Sequence, residues 1–220
     1  MEDVISHELA STFARRKITP SDVADWLHIT LDSAGELLVL SDARDPRREC
    51  EHCVLSPDGT LLAASFGNTE VLVWRLPDGL LVQRLSDQGC AHIVSAIAVA
   101  PDGRTLVLGS CDTTAIVWDV RSGRALLRLR GHRAPVGAVA YAPHGALVAT
   151  AFEDDGSVKI WDVQTGTCLH SFAADVDAVI SELAFSPDNA RLCVASSASC
   201  LINDVQANAR LATLRHDEKR

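Results

Sequence analysis

Nothing in the 220 residues approaches the roughly 20-residue apolar run that a membrane helix needs. The first residues, MEDVISHE, are acidic where a secretory leader is basic and then apolar. Positive charge is scarce: 20 Lys and Arg stand against 29 Asp and Glu, a formal balance of -9. Backbone phosphates reward dense Lys/Arg patches, so this balance argues against nucleic acid as the main partner, and the short basic groups at 15–17 and 47–48 read as solvated faces. The chain also lacks a phosphate-cradling Gly-Lys loop, an HExxH pair and a GxSxG elbow. These absences predict a soluble intracellular protein, cytoplasmic or nuclear, that does its work without membrane, nucleic acid, cofactor or catalysis.

Seven cysteines, at 50, 53, 90, 111, 168, 193 and 200, are odd in number and lie mostly inside apolar runs. Without a leader they read as free thiols packed as small hydrophobes. CEHC at 50–53 offers two thiols and an imidazole, but zinc usually wants a second pair, which the sequence does not supply. On a strand, positions 50 and 53 have opposite parity and are expected to point to opposite faces.

What the chain does have is a period. Trp161 follows Trp118 by 43 residues, and Trp118 follows Trp74 by 44. Asn203 falls 42 residues after Trp161, and Thr30 falls 44 before Trp74. A second marker keeps step: SPDG at 56, APDG at 100, APHG at 142 and SPDN at 186. Each unit has an apolar run, a Pro-containing turn, a second apolar run at hairpin spacing, a polar loop, a third run ending at the Trp position, another turn, and a fourth run. Tight turns imply antiparallel neighbours. The near absence of polar residues from the first two runs implies strands covered on both faces. Four-stranded sheets of this kind, repeated at about 43 residues, stack around an axis as the blades of a propeller.

Over residues 26 to 214 the chain resembles the WD-repeat propeller family. The fullest unit, GHRAPVGAVAYAPHGALVATAFEDDGSVKIWDVQTG at 131–166, carries the family's Gly-His, Pro-x-Gly turn, Asp-Gly and Trp-Asp in order. The expected fold is all-β: a partial blade at 26–41, and complete blades near 46–86, 89–130, 131–173 and 176–215, making a propeller over 26–216. A short helical segment at 1–25, with Ile5, Leu9 and Phe13 four apart, precedes it.

His132, Thr150 and Asp155 invite a nucleophilic triad reading, because hydroxyl, imidazole and carboxylate together activate an attacking oxygen. The resemblance implies a structural role instead: His132, Thr150, Asp155 and Trp161 hydrogen-bond to one another, and Ser110, Asp112 and Trp118 form the same network one unit earlier. A buried indole N–H and a buried imidazole each need a partner, and a satisfied network fixes one packing geometry. Cys90 stands where His132 has its counterpart, with His92 nearby. Asn68 and Ser197 take the Asp position in the outer units, and Asn203 replaces Trp in the last.

The resemblance implies a non-catalytic scaffold that binds other proteins. WDVR at 118–121 resembles the box by which some WD-repeat proteins dock on the adaptor of a cullin-type ubiquitin ligase, with Trp118, Asp119 and Arg121 as the contact residues. The family's rings usually close with seven blades, whereas four and a half units are visible. That shortfall leaves three expectations: a bare terminal face open to self-association with a second chain, a small ring of five completed by the N-terminal segment, or a fragment of a longer propeller protein.

Overall fold

The computed structural model describes residues 50–66, 70–76, 79–85, 94–152, 156–174, 179–197 and 199–215. The helical segment expected at 1–25 and the partial blade at 26–41 lie outside them.

The four turn tetrapeptides close alike. The amide of Gly59 donates to the Ser56 carbonyl at 2.8 Å, Gly103 to Ala100 at 2.9 Å, Gly145 to Ala142 at 2.8 Å, and Asn189 to Ser186 at 2.9 Å. The fourth residue of each turn is left-handed, with φ of 71°, 65°, 74° and 62°. Glycine reaches that region without a Cβ penalty and asparagine tolerates it, which is why Asn189 stands in for the last glycine. An Asp at the third position of three of these turns accepts from the backbone two residues on, Asp58 from Thr60, Asp102 from Arg104 and Asp188 from Ala190.

These turns join the first two strands of four antiparallel sheets. Sheet I holds β1 (Cys50–Leu55), β2 (Leu61–Phe66), β3 (Glu70–Arg75) and β4 (Leu80–Leu85). Sheet II holds β5 (Val94–Val99), β6 (Thr105–Ser110), β7 (Ala115–Asp119) and β8 (Arg124–Leu129). Sheet III holds β9 (Val136–Tyr141), β10 (Leu147–Phe152), β11 (Ser157–Asp162) and β12 (Cys168–Ala173). Sheet IV holds β13 (Ile180–Phe185), β14 (Arg191–Ser196), β15 (Cys200–Asp204) and β16 (Ala209–Leu214). All regular structure among the described residues is strand, as the repeat requires.

The sheets bury their apolar sides on one another, the dominant favourable term in a fold of this kind. Ala63, Val71 and Val73 of sheet I pack with Leu106, Ile116 and Trp118 of sheet II. Val107, Val117 and Leu129 of sheet II pack with Val136, Val148 and Trp161 of sheet III. Ala149, Val158 and Ile160 of sheet III pack with Leu183, Leu192 and Leu201 of sheet IV. Contacts between first strands run β1 to β5, β5 to β9 and β9 to β13, so these strands lie innermost. The fourth strands are outermost, exposing Leu80, Leu126, Leu169 and Leu211.

Each first strand carries an irregularity where it meets the second, at Cys50/His52, Val94/Ala96, Val136/Ala138 and Ile180/Glu182. A bulge adds one residue and re-aims the side chains beyond it. This corrects the parity expected for CEHC: the bulge brings Cys50 and Cys53 into one cluster with Leu62, Phe66 and Trp74. Their thiols meet there, and the hydrogen bond to Cys53, followed by burial, raises the Cys50 pKa.

Sheets II and III approach closely at Gly109. A Cβ there would lie 2.6 Å from the Val136 carbonyl oxygen and 3.1 Å from its Cγ1. Beside it the Ser95 hydroxyl donates to the same carbonyl. Thr105 Oγ1 and Tyr141 Oη meet across this interface at 3.0 Å, and burial pushes the Tyr141 phenol up to about 12.

Candidate functional site

The most polar buried constellation lies in sheet III. Thr150, on β10, is fully buried. Its Oγ1 accepts from Trp161 Nε1 on β11 at 2.8 Å and meets His132 Nε2 at 2.6 Å. His132 Nδ1 lies 3.2 Å from Ser157 Oγ. One hydroxyl can accept from the indole and also donate to, or accept from, the imidazole, so either histidine tautomer completes the chain Ser157–His132–Thr150–Trp161. The imidazole and indole rings are 6.3 Å apart and tilted at 54°. Asp155 lies outside the described residues. Ser157 is a member that the sequence did not single out; as the first residue of β11, four before Trp161, it could have been found only from the register.

Sheet II differs. Asp112 accepts from the Thr114 amide and hydroxyl at 2.9 and 2.6 Å, and its own amide donates to Ser110 Oγ at 3.1 Å. Arg128 Nη1 pairs with Asp112 Oδ2 at 3.2 Å. Burial opposes ionisation of Asp112, but these hydrogen bonds and Arg128 outweigh it and hold the carboxyl below its ordinary value. Ser110 and Asp112 therefore form a local turn clasp. They do not reach Trp118, whose buried Nε1 has no hydrogen-bond partner. The register explains the difference: Thr150 opposes Lys159, two residues before Trp161, and the residue so placed before Trp118 is Leu108, opposite Ile116. Leucine has no hydroxyl to offer. Sheet IV repeats the defect, since the Asn203 side-chain amide nitrogen is also buried without a partner. Asn68, Cys90 and His92 lie outside the described residues.

The chemical capacity of sheet III follows from its geometry. Both hydrogen-bonding neighbours of Thr150 Oγ1 are protein groups, and the atom is closed to solvent. A hydroxyl so placed has no room for a substrate carbonyl.

Among the described residues, two accessible surfaces bear on the binding of a partner. A cleft of about 660 Å³ at the axis is lined by all four first strands, including His52, Ser95, Gly137, Ser181 and Glu182. Burial lowers the His52 pKa below its ordinary value, with Glu51 opposing. On the rim, Arg121 is exposed in the turn between β7 and β8, and Asp119 Oδ1 accepts from the Ser122 amide at 2.6 Å. Among the described residues no three His, Cys, Asp or Glu side chains converge as a metal site.

A family model described as the nucleolar protein 10-like N-terminal domain, a β-propeller, matches residues 49–203. Periodic tryptophan protein 2 of Saccharomyces cerevisiae is 36% identical over 117 residues, covering 53% of this chain and 12% of its own length. The small ribosomal subunit protein RACK1y of Oryza sativa subsp. japonica is 33% identical over 130 residues, 58% of this chain and 38% of that protein. The guanine nucleotide-binding protein subunit beta of Solanum tuberosum is 32% identical over 126 residues, 54% of this chain and 33% of that protein. The chain thus spans well under half the length of each of these relatives. The stacked four-stranded sheets, the buried Trp positions in register and the match over 49–203 show that the chain belongs to the nucleolar protein 10-like N-terminal-domain family of WD-repeat β-propellers.

Proposed function

We propose that the chain is a non-catalytic scaffold for protein–protein interaction. The observation that supports this most is the buried Ser157–His132–Thr150–Trp161 chain: His132 and Thr150, two of the groups that could have joined a nucleophilic triad, are hydrogen-bonded to Ser157 and Trp161 of β11 instead. The names of two relatives, a guanine nucleotide-binding protein subunit and a small ribosomal subunit protein, describe members of larger assemblies. Such settings accord with work inside the cell, in cytoplasm or nucleus. The exposed faces of the outer strands and the axial cleft offer partners a rigid surface, positioned by sheets rather than by mobile loops. Native purification with intact-mass measurement tests the reading. Discrete stoichiometric complexes are expected; a chain that stays alone and turns over substrate in a hydrolase panel overturns it.

A second reading rests on the exposed Arg121 beside the clasped Asp119: docking of Trp118–Arg121 on the adaptor of a cullin-type ligase. Adaptor binding that survives Arg121→Ala unchanged removes it.

A further inference from the structure

We propose that Cys193 and Cys200 form a reversible dithiol–disulfide site on one partly exposed face of the β14–β15 pair. Their sulfurs lie 3.0 Å apart. Cys193 opposes Ile202 and Ala195 opposes Cys200, so the two thiols are diagonal neighbours on one face of the β14–β15 pair. Position by position along the strands, Cys193 corresponds to Ala63, Val107 and Ala149, and Cys200 to Val71, Ala115 and Val158. Those six residues are at most 1% exposed, each covered by the following sheet. Cys193 and Cys200 are only partly buried. Cysteine therefore occupies, in sheet IV, two partly buried positions whose counterparts in the other three sheets are fully buried aliphatics.

A peroxide is the oxidant class that the site fits, being small enough to reach a half-covered strand face. One thiolate attacks a peroxide oxygen, the O–O bond breaks and water leaves, giving a sulfenic acid. The second thiol then attacks that sulfur and expels a second water. Overall, two thiols and hydrogen peroxide give one disulfide and two waters, with the sulfurs losing the two electrons that the peroxide gains. Burial, then the hydrogen bond to Cys200, pushes the Cys193 thiol up to about 11. Cys193 is thus a poor first nucleophile near neutral pH. Diagonal pairs across antiparallel strands have Cα atoms roughly 7–8 Å apart, beyond the usual disulfide span. The bond draws the strands together under strain, and strained disulfides are the readily reduced ones.

Trypsin cuts after Arg191 and Arg210, leaving both cysteines in one peptide, 192–210, while Cys168 lies in another. The reduced 220-residue chain is treated with hydrogen peroxide, alkylated with N-ethylmaleimide in denaturant, digested and weighed. The expected peptide is lighter by two hydrogens and carries no alkyl group, and dithiothreitol before alkylation restores two. In Cys193→Ser, oxidation at Cys200 stops at the sulfenic acid or beyond. A peptide 192–210 bearing two alkyl groups at a dose that has already oxidised the exposed Cys168 overturns the proposal. So does a peptide in which each cysteine carries its own sulfinic acid or is joined to a second chain.

Discussion

Replacing Thr150 by valine removes one oxygen and changes little else in size, which makes it the sharpest probe of the buried chain in sheet III. Two groups lose their partner: the Trp161 indole N–H, 2% exposed, and His132 Nε2, 7% exposed. Each buried polar group left unsatisfied costs about 1–3 kcal/mol, and the hydroxyl no longer has to be desolvated, so the net loss is about 2–4 kcal/mol. For a chain of this length that lowers the melting temperature by roughly 4–16 °C. Sheet III packs on sheets II and IV, so its loosening weakens two interfaces, and in a repeat protein stability is close to a sum of such nearest-neighbour terms. Thr150→Ser keeps the oxygen and deletes a methyl, costing about 1 kcal/mol. Thermal unfolding followed by far-ultraviolet circular dichroism and by tryptophan fluorescence separates the two variants. A valine variant within about 0.5 kcal/mol of the parent, or a serine variant as damaged as the valine one, refutes the reasoning.

The two indoles give a matched comparison. Trp118→Phe deletes an N–H that has no partner, whereas Trp161→Phe deletes one that Thr150 accepts, so in urea unfolding Trp161→Phe is the costlier by about 1 kcal/mol or more. Equal costs contradict the assignment. Gly109→Ala places a carbon 2.6 Å from the Val136 carbonyl oxygen. The backbones of sheets II and III must part, at about 1–3 kcal/mol, and an unchanged melting temperature means that they are not in contact. Asp58, Asp112 and Asp188 are held by hydrogen bonds below the ordinary value of 3.8, against a contribution from burial. A depressed folded pKa stabilises above the unfolded value and is lost as pH falls through the folded one. These carboxyls should therefore contribute fully, and leave the urea midpoint unchanged, between neutrality and about pH 4, and the midpoint should decline below it. Asp112→Asn reduces that acid slope, and an unchanged slope excludes Asp112 as a source.

The features legible in sequence were those that turn chemistry and burial write locally. The Pro-x-Gly tetrapeptides demanded a left-handed fourth residue, and Gly59, Gly103, Gly145 and Asn189 adopt it. Trp74, Trp118, Trp161 and Asn203 hold one period because each is buried at the same place in its sheet. What was not legible depends on register. The resemblance placed Ser110 in the network beside Trp118, but strand pairing puts Leu108 at the position that Thr150 holds in sheet III. The thiols of Cys50 and Cys53 meet because a bulge adds a residue that no local pattern announces. Nothing in the local pattern of β6 singles out Gly109. Its necessity comes from a carbonyl on a strand that begins 27 residues later.

The central claim is that the recurring Trp segments mark sheets that cover one another's apolar sides. Isotope-edited nuclear Overhauser spectra of the methyl-labelled chain test it most directly. Cross-peaks from the Trp161 ring to the methyls of Val107, Val117 and Leu129 in the neighbouring sheet are expected, because these residues share one buried cluster. Trp161 cross-peaks confined to β9–β12, with none reaching β6–β8, would contradict the claim.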